Sequence, residues 1–236
     1  MTVRLTFEGE VATITLDRPE ARNALNLEMC EAILLSVKGI VEKEARLVFV
    51  RGNGPAFCGG ADLNERKDKR EDWIRARRMK AFSAYGALEA LPMPCVALVH
   101  GAAIGSGVEI AAACDFIVAA PDALFGTPEA QRGTVGATQR LPRVLGKRLA
   151  KDLMLTGRRL GAEQARAAGL VSRVVEDLEA EIHQIAEAIL AAPVEAIRLA
   201  KQCIDRGVEL DPRGALEVEL AAIEQQLASG KWMGKA

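Results

Sequence analysis

Glu109 is the only charge between Cys95 and Cys114, and it lies in the apolar stretch CVALVHGAAIGSGVEIAAACD at 95–115. Just before it, Gly101, Gly105 and Gly107 supply a turn through which backbone can approach a ligand closely. A turn that runs into a helix leaves free N–H groups and a positive helix end at one point. Such a point suits an anion, or an oxyanion that develops during a reaction. The structural alternative is that an acid favours a helix N-terminus and that the glycines serve tight packing. Two better-known templates do not match. GAAIGSG is not G-x-G-x-x-G, so there is no dinucleotide fingerprint. Ile104 stands where G-x-S-x-G needs a glycine before Ser106, which argues against a nucleophile elbow.

Other residues could share that chemistry. A second glycine-rich loop, RGNGPAFCGGADLNE, follows the apolar run at 47–50. Glu129 follows Pro128 in FGTPEAQRG. The segment 65–80 holds eight basic residues (Arg66, Lys67, Lys69, Arg70, Arg75, Arg77, Arg78, Lys80) against four acids, a local sum of +4. It reads either as a solvated helix or as a basic rim that attracts a phosphorylated ligand.

The elements that must position these residues alternate in type. Val3–Glu8 and Val11–Leu16 alternate apolar and polar residues about Gly9-Glu10, which predicts a hairpin. Helical periodicity runs over 27–42, with Asn26 as N-cap. Strand, glycine loop and helix then occur twice, from Leu47 and from Cys95. Residues 116–119 and 124–125 read as strands, 149–156 and 162–168 as helices with Gly169 as C-cap, and 170–175 as a last strand. From Asp177 onward the periodicity is helical, over 182–190, 194–204 and 215–227. That segment has no strand of its own to cover. It either packs on a neighbouring subunit or completes its own core. Alternating strands and helices predict an α/β fold.

The chain has 236 residues, half of them hydrophobic, enough for one substantial core with an appendage. A net charge of −1 makes no case for nucleic acid or an acidic membrane. No apolar run reaches the roughly 18 residues needed to span a bilayer. The N-terminus lacks a signal-peptide pattern and the C-terminus a targeting motif, so the expected location is cytoplasmic. Five scattered cysteines without C-x-x-C spacing point to reduced thiols. With two histidines in the chain, no metal centre is expected.

Four segments in order, RPEARNALN, AFCGGADLNE, VHGAAIGSGVEIAAACD and TPEAQRGTVGATQRLPRVLG with LTGRRLGAEQARAAGLV, resemble the crotonase (enoyl-CoA hydratase/isomerase) superfamily. The match spans roughly 3–175. The resemblance implies a crotonase-like spiral of ββα units at 1–176 and a helical region at 177–236 that builds a homotrimer or a dimer of trimers. It also implies an acyl-CoA thioester as partner, with coenzyme A part of the substrate and no separate cofactor. In the family two backbone N–H groups hold the thioester oxygen; they match Ala61 in GGAD and Ser106 in GSGVE, where glycine is the commoner residue. Two glutamates flank the reacting carbons and match Glu109, as base, and Glu129, as acid. They form a coupled pair, with at least one pKa raised by burial and mutual repulsion. Substrate and CoA contacts map to Gly59, Ala61, Asp62, Leu63, Asn64 and Ser106, with Arg22 and Ala24 near the phosphates. The basic run at 65–80 gains weight as a phosphate-facing rim.

The implied activity is enoyl-CoA hydration, a reversible syn addition of water. Δ3,Δ2-isomerisation, another lyase or hydrolase reaction of this scaffold, and a non-catalytic acyl-CoA-binding role are the alternatives. Two departures stand out. The loop between Glu129 and Thr138-Gln139-Arg140 is RGTVGA, about three residues shorter than usual. The C-terminal basic segment is reduced to Lys231-Trp232-Met233-Gly234-Lys235, so that either Trp232 and Lys235 replace the usual contact with a neighbour's CoA site or that contact is missing.

Overall fold

The computed structural model describes residues 1–230. β1 (Val3–Glu8) and β2 (Val11–Leu16) form the expected antiparallel hairpin, with Val3 opposite Leu16 and Glu8 opposite Val11. Period-2 alternation buries Ala12, Ile14 and Leu16 completely.

One unit then repeats: a strand in the large sheet, a short extended segment in a second layer, and a helix. β2 passes through Leu25 into α1 (Leu27–Glu42). β3 (Leu47–Gly52) passes through residues 56–61 into α2 (Glu71–Glu89). β4 (Cys95–Val99) passes through β5 (Ala102–Ile104) into α3 (Ser106–Ala112). β6 (Phe116–Ala119) passes through β7 (Leu124–Gly126) into α4 (Arg140–Thr156), which kinks at Gly146. β8 (Arg159–Gly161), α5 (Ala162–Ala167) and β9 (Arg173–Val174) close the core. The large sheet has the order β1-β2-β3-β4-β6-β9, parallel from β2 onward, and the second is β5-β7-β8.

Sequence periodicity places most of this correctly. Asn26 caps α1 by accepting from the Met29 N–H at 2.9 Å. Gly169 has φ +82° just past α5. Three local features differ. The stretch between Gly101 and Gly105 is the strand β5, parallel to β7, because the two glycines bracket three apolar residues. The last strand keeps only Arg173 and Val174. α4 begins nine residues before Leu149.

The helical tail does cover a sheet. α6 (Leu178–Ala191) lies on the outer face of the large sheet, where Ile185 packs with Leu47, Phe49, Val96, Leu98 and Val118. Asp177 caps α6 with its carboxylate, which accepts from the Glu179 and Ala180 N–H groups. α7 (Val194–Gly207) is tied to the core by Lys201, which pairs with Asp115 and, at 3.0 Å, with Asp205. α8 (Pro212–Ala228) packs on α7 and buries no residue fully. The segment from Lys231 to Lys235 lies outside the described residues.

Candidate active site

Two hydrogen bonds align the glycine loops. Cys58 N–H donates to Ala102 O and Ile104 N–H to Cys58 O, both at 2.9 Å, which pairs Cys58 with Ala103 in parallel. Three residues further along each chain stand Ala61 and Ser106. Both line one cavity of about 480 Å³ together with Glu109 and Glu129.

The directions of the two amides follow from the backbone. Leu25 N–H bonds to Gly60 O, and Asp62 N–H bonds back to Leu25 O. Gly60 and Asp62 therefore face Leu25, and the N–H of Ala61 between them faces away. Gly105, at φ +54° and ψ −109°, turns the chain so that Ser106 opens α3 with its N–H outside the helical ladder. Among the described residues neither amide makes a hydrogen bond. α3 is only seven residues long, so the local amide matters here more than a helix dipole.

The two carboxylates sit in unlike surroundings. Glu109 is 5% exposed, and its Oε2 accepts from Arg140 Nη1 at 2.9 Å. Arg140 in turn donates to Glu89 at 2.5 Å and stacks over the Tyr85 ring at 5.9 Å. Burial pushes the Tyr85 phenol above its ordinary value, opposed by a hydrogen bond with the Ser106 side chain. Glu129 has no such partner: its Oε2 is buried without a hydrogen bond. Burial raises the Glu129 pKa, and the charge of Glu109 raises it further against the pull of Arg132. The side chain is held between two glycines. A Cβ on Gly105 would stand 2.5 Å from Glu129 Oε1, and one on Gly136 3.0 Å from its Cγ.

The short loop after Glu129 closes by a 3-10 turn, Ala130–Arg132, and Thr134 N–H returns to Glu129 O at 3.0 Å. Thr134, Val135, Gly136 and Ala137 thus still line the cavity.

Of the other sequence candidates, Leu63 lines the cavity. Gly59, Asp62, Asn64, Arg22 and Ala24 are not among the residues that line it. Gly59 N–H bonds to Arg22 O; Asp62 accepts from Asn64 N–H at 2.9 Å and from Arg18 at 3.0 Å; Ala24 O accepts from Arg18. Sequence reasoning singled out neither Arg140 nor Tyr85 as a site residue. Arg140 stood in the Thr138-Gln139-Arg140 signature, and Tyr85 is the chain's single tyrosine, but neither signal names a role. The charge run divides: Arg66, Arg77 and Arg78 line the cavity, whereas Lys67, Lys69, Arg70 and Arg75 are exposed.

The site belongs to an α/β protein whose cavity opposes two free amides to a clamped and an unclamped carboxylate. The enoyl-CoA hydratase/isomerase family model matches residues 6–232. A bovine protein, enoyl-CoA hydratase domain-containing protein 2, mitochondrial, is 40% identical over 220 residues, covering 89% of this chain and 74% of its own. The crystal structure of enoyl-CoA hydratase from Bacillus anthracis superposes with a TM-score of 0.91 at 35% identity, over 95% of this chain and 90% of that one. A Thermobifida fusca protein solved in complex with acetoacetyl-CoA has a TM-score of 0.88 at 30% identity, over 97% and 95%. The chain belongs to the enoyl-CoA hydratase/isomerase family, with the crotonase fold.

Proposed function

We propose that the protein is an enoyl-CoA hydratase, acting on a 2-enoyl-CoA thioester. The observation that carries this reading is the unequal pair of carboxylates facing one cavity: Glu109 on Arg140, Glu129 half-buried with its Oε2 unpaired. Arg140 holds the Oε2 of Glu109 at 2.9 Å, and among the described residues its Oε1 takes no hydrogen bond and so can hold water. Glu109 takes a proton from that water as the oxygen bonds to Cβ. The C=C electron pair shifts toward the thioester, whose oxygen gathers negative charge between the N–H groups of Ala61 and Ser106. Each such donor supplies roughly 3–4 kcal/mol to the transition state. Glu129, whose pKa burial raises, delivers a proton to Cα and collapses the enolate. Proton exchange between the two acids restores the starting state.

Incubation with crotonyl-CoA, followed by loss of the conjugated thioester absorbance, tests the reading. Hydration that falls about 100-fold or more in Glu109→Gln supports it. No hydration of any 2-enoyl-CoA, alongside turnover of a 3-enoyl-CoA, would shift the assignment to isomerisation.

We also read the exposed Leu216, Leu220, Ile223 and Leu227 of α8 as a surface that a homotrimer covers. Sedimentation at the monomer mass would remove that reading.

A further inference from the structure

Four guanidinium groups line the cavity, those of Arg66, Arg77, Arg78 and Arg132, and the charge of Arg132 acts on Glu129. Arg66 ends the 3-10 turn Asn64–Arg66, and Arg77 and Arg78 lie in the first half of α2. Glu65 is the carboxylate among them, and both its oxygens are engaged: Oε1 accepts from Arg77 Nε at 2.5 Å, and Oε2 from the Leu27 N–H at 2.8 Å. Arg77 also donates to Leu25 O and is 2% exposed, so it is a framework residue with its charge answered.

Arg66 and Arg78 are different. Among the described residues neither forms an ion pair. Arg66 Nε is buried without a hydrogen-bond partner, and Arg78 donates to the Thr134 hydroxyl. Burial lowers the pKa of Arg66, and the charges of Arg77 and Arg78 lower it further against the opposing charge of Glu65. Partly desolvated cations without an ion-pair partner destabilise the empty protein, and an anion would relieve them. An apolar acyl tail in this position would leave them desolvated and unanswered.

The position of the anion follows from the loop. Thr134, which holds Arg78, is itself bonded to Glu129 O. Arg78 is therefore tied to the loop that carries the acid, at the reacting end of the thioester. The phosphates of coenzyme A are held away from that end by the pantetheine arm.

We propose that Arg66 and Arg78 bind a carboxylate on the acyl chain, so that the substrate class is the CoA monothioester of a short unsaturated dicarboxylic acid. This rests on the hydratase reading of the same cavity. It makes Arg66 and Arg78 the specificity-determining residues, set among the apolar Leu63, Ala81, Phe82 and Val135 of the same cavity.

Calorimetric binding of three non-reacting ligands tests it: glutaryl-CoA, pentanoyl-CoA and coenzyme A. Glutaryl-CoA is expected to bind the wild-type protein about 10- to 100-fold tighter than pentanoyl-CoA, the range for hydrogen bonds to a charged group. Arg66→Met and Arg78→Met bring that ratio toward one, and Arg66→Lys restores part of it. Equal wild-type affinities for the two thioesters overturn the proposal, and that comparison stands even where a variant does not fold. Equal weakening of all three ligands in the variants also overturns it, since the arginines would then be reading phosphate. None of these readouts needs turnover. Failure to hydrate any 2-enoyl-CoA, beside a retained preference for glutaryl-CoA, would sink the hydratase reading and leave the carboxylate site standing.

Discussion

Glu109 and Glu129 carry the same functional group and differ in what surrounds it. An arginine bonds one, and apolar burial with a like charge nearby raises the pKa of the other. If Glu129 acts as the acid, kcat/KM must fall as rising pH removes its proton. That alkaline limb is expected above the ordinary glutamate range of about 4.3. Arg132 pulls the Glu129 pKa down, so Arg132→Gln should move the limb to higher pH, as a pH profile of the variant will show. Gly105 offers a second check. Its φ of +54° strains any other residue, and an added Cβ would collide with the Glu129 carboxyl. Gly105→Ala should lower kcat/KM on crotonyl-CoA about 100-fold by displacing the acid, with a smaller loss of thermal stability.

At the scale of elements, the site depends on how the segments between strands and helices are held. Asn23 shows how. It is fully buried in the left-handed region at φ +53°, accepts from Arg18 N–H at 2.8 Å, and donates to Asn53 O at 2.9 Å and Ala56 O at 2.8 Å. It thereby pins the loop after β2 to the extended segment that leads to Ala61. Asn23→Ala leaves those groups unpaired and places alanine at a positive φ. The expected cost is about 2–4 kcal/mol in urea unfolding. A change below half a kcal/mol would show that water replaces the amide.

For the whole molecule, layering decides which groups can react. Both faces of the large sheet are covered, one by α1, α2 and α3 and the other by α6, and four of the five cysteines end up buried. Burial pushes the Cys30 and Cys58 thiols up to about 11, and Cys114 is raised by its contact with Cys95, 3.6 Å away, as well as by burial. An aromatic disulfide reagent near neutral pH should therefore titrate Cys203 rapidly in the native protein and all five thiols after denaturation. Rapid reaction of more than one native thiol would mean that the core opens readily.

Local pattern was enough for the elements that depend on near neighbours. Alternation set the first hairpin, Asn26 and Gly169 marked helix ends, and the resemblance of the ordered motifs to the crotonase superfamily singled out Ala61, Ser106, Glu109 and Glu129. Tertiary structure decided what each of them faces. Only the parallel pairing of Cys58 with Ala103 brings the segments that carry Ala61 and Ser106 to one cavity, and only a contact across 31 positions puts Arg140 on Glu109. The charge run at 65–80 could not be sorted by type, because Arg77 with its carboxylate and Arg66 without one look alike in a string of letters. The physical reason is the same in each case. Backbone preference acts over a few residues, whereas burial, charge pairing and pKa are set by groups that only folding brings within reach.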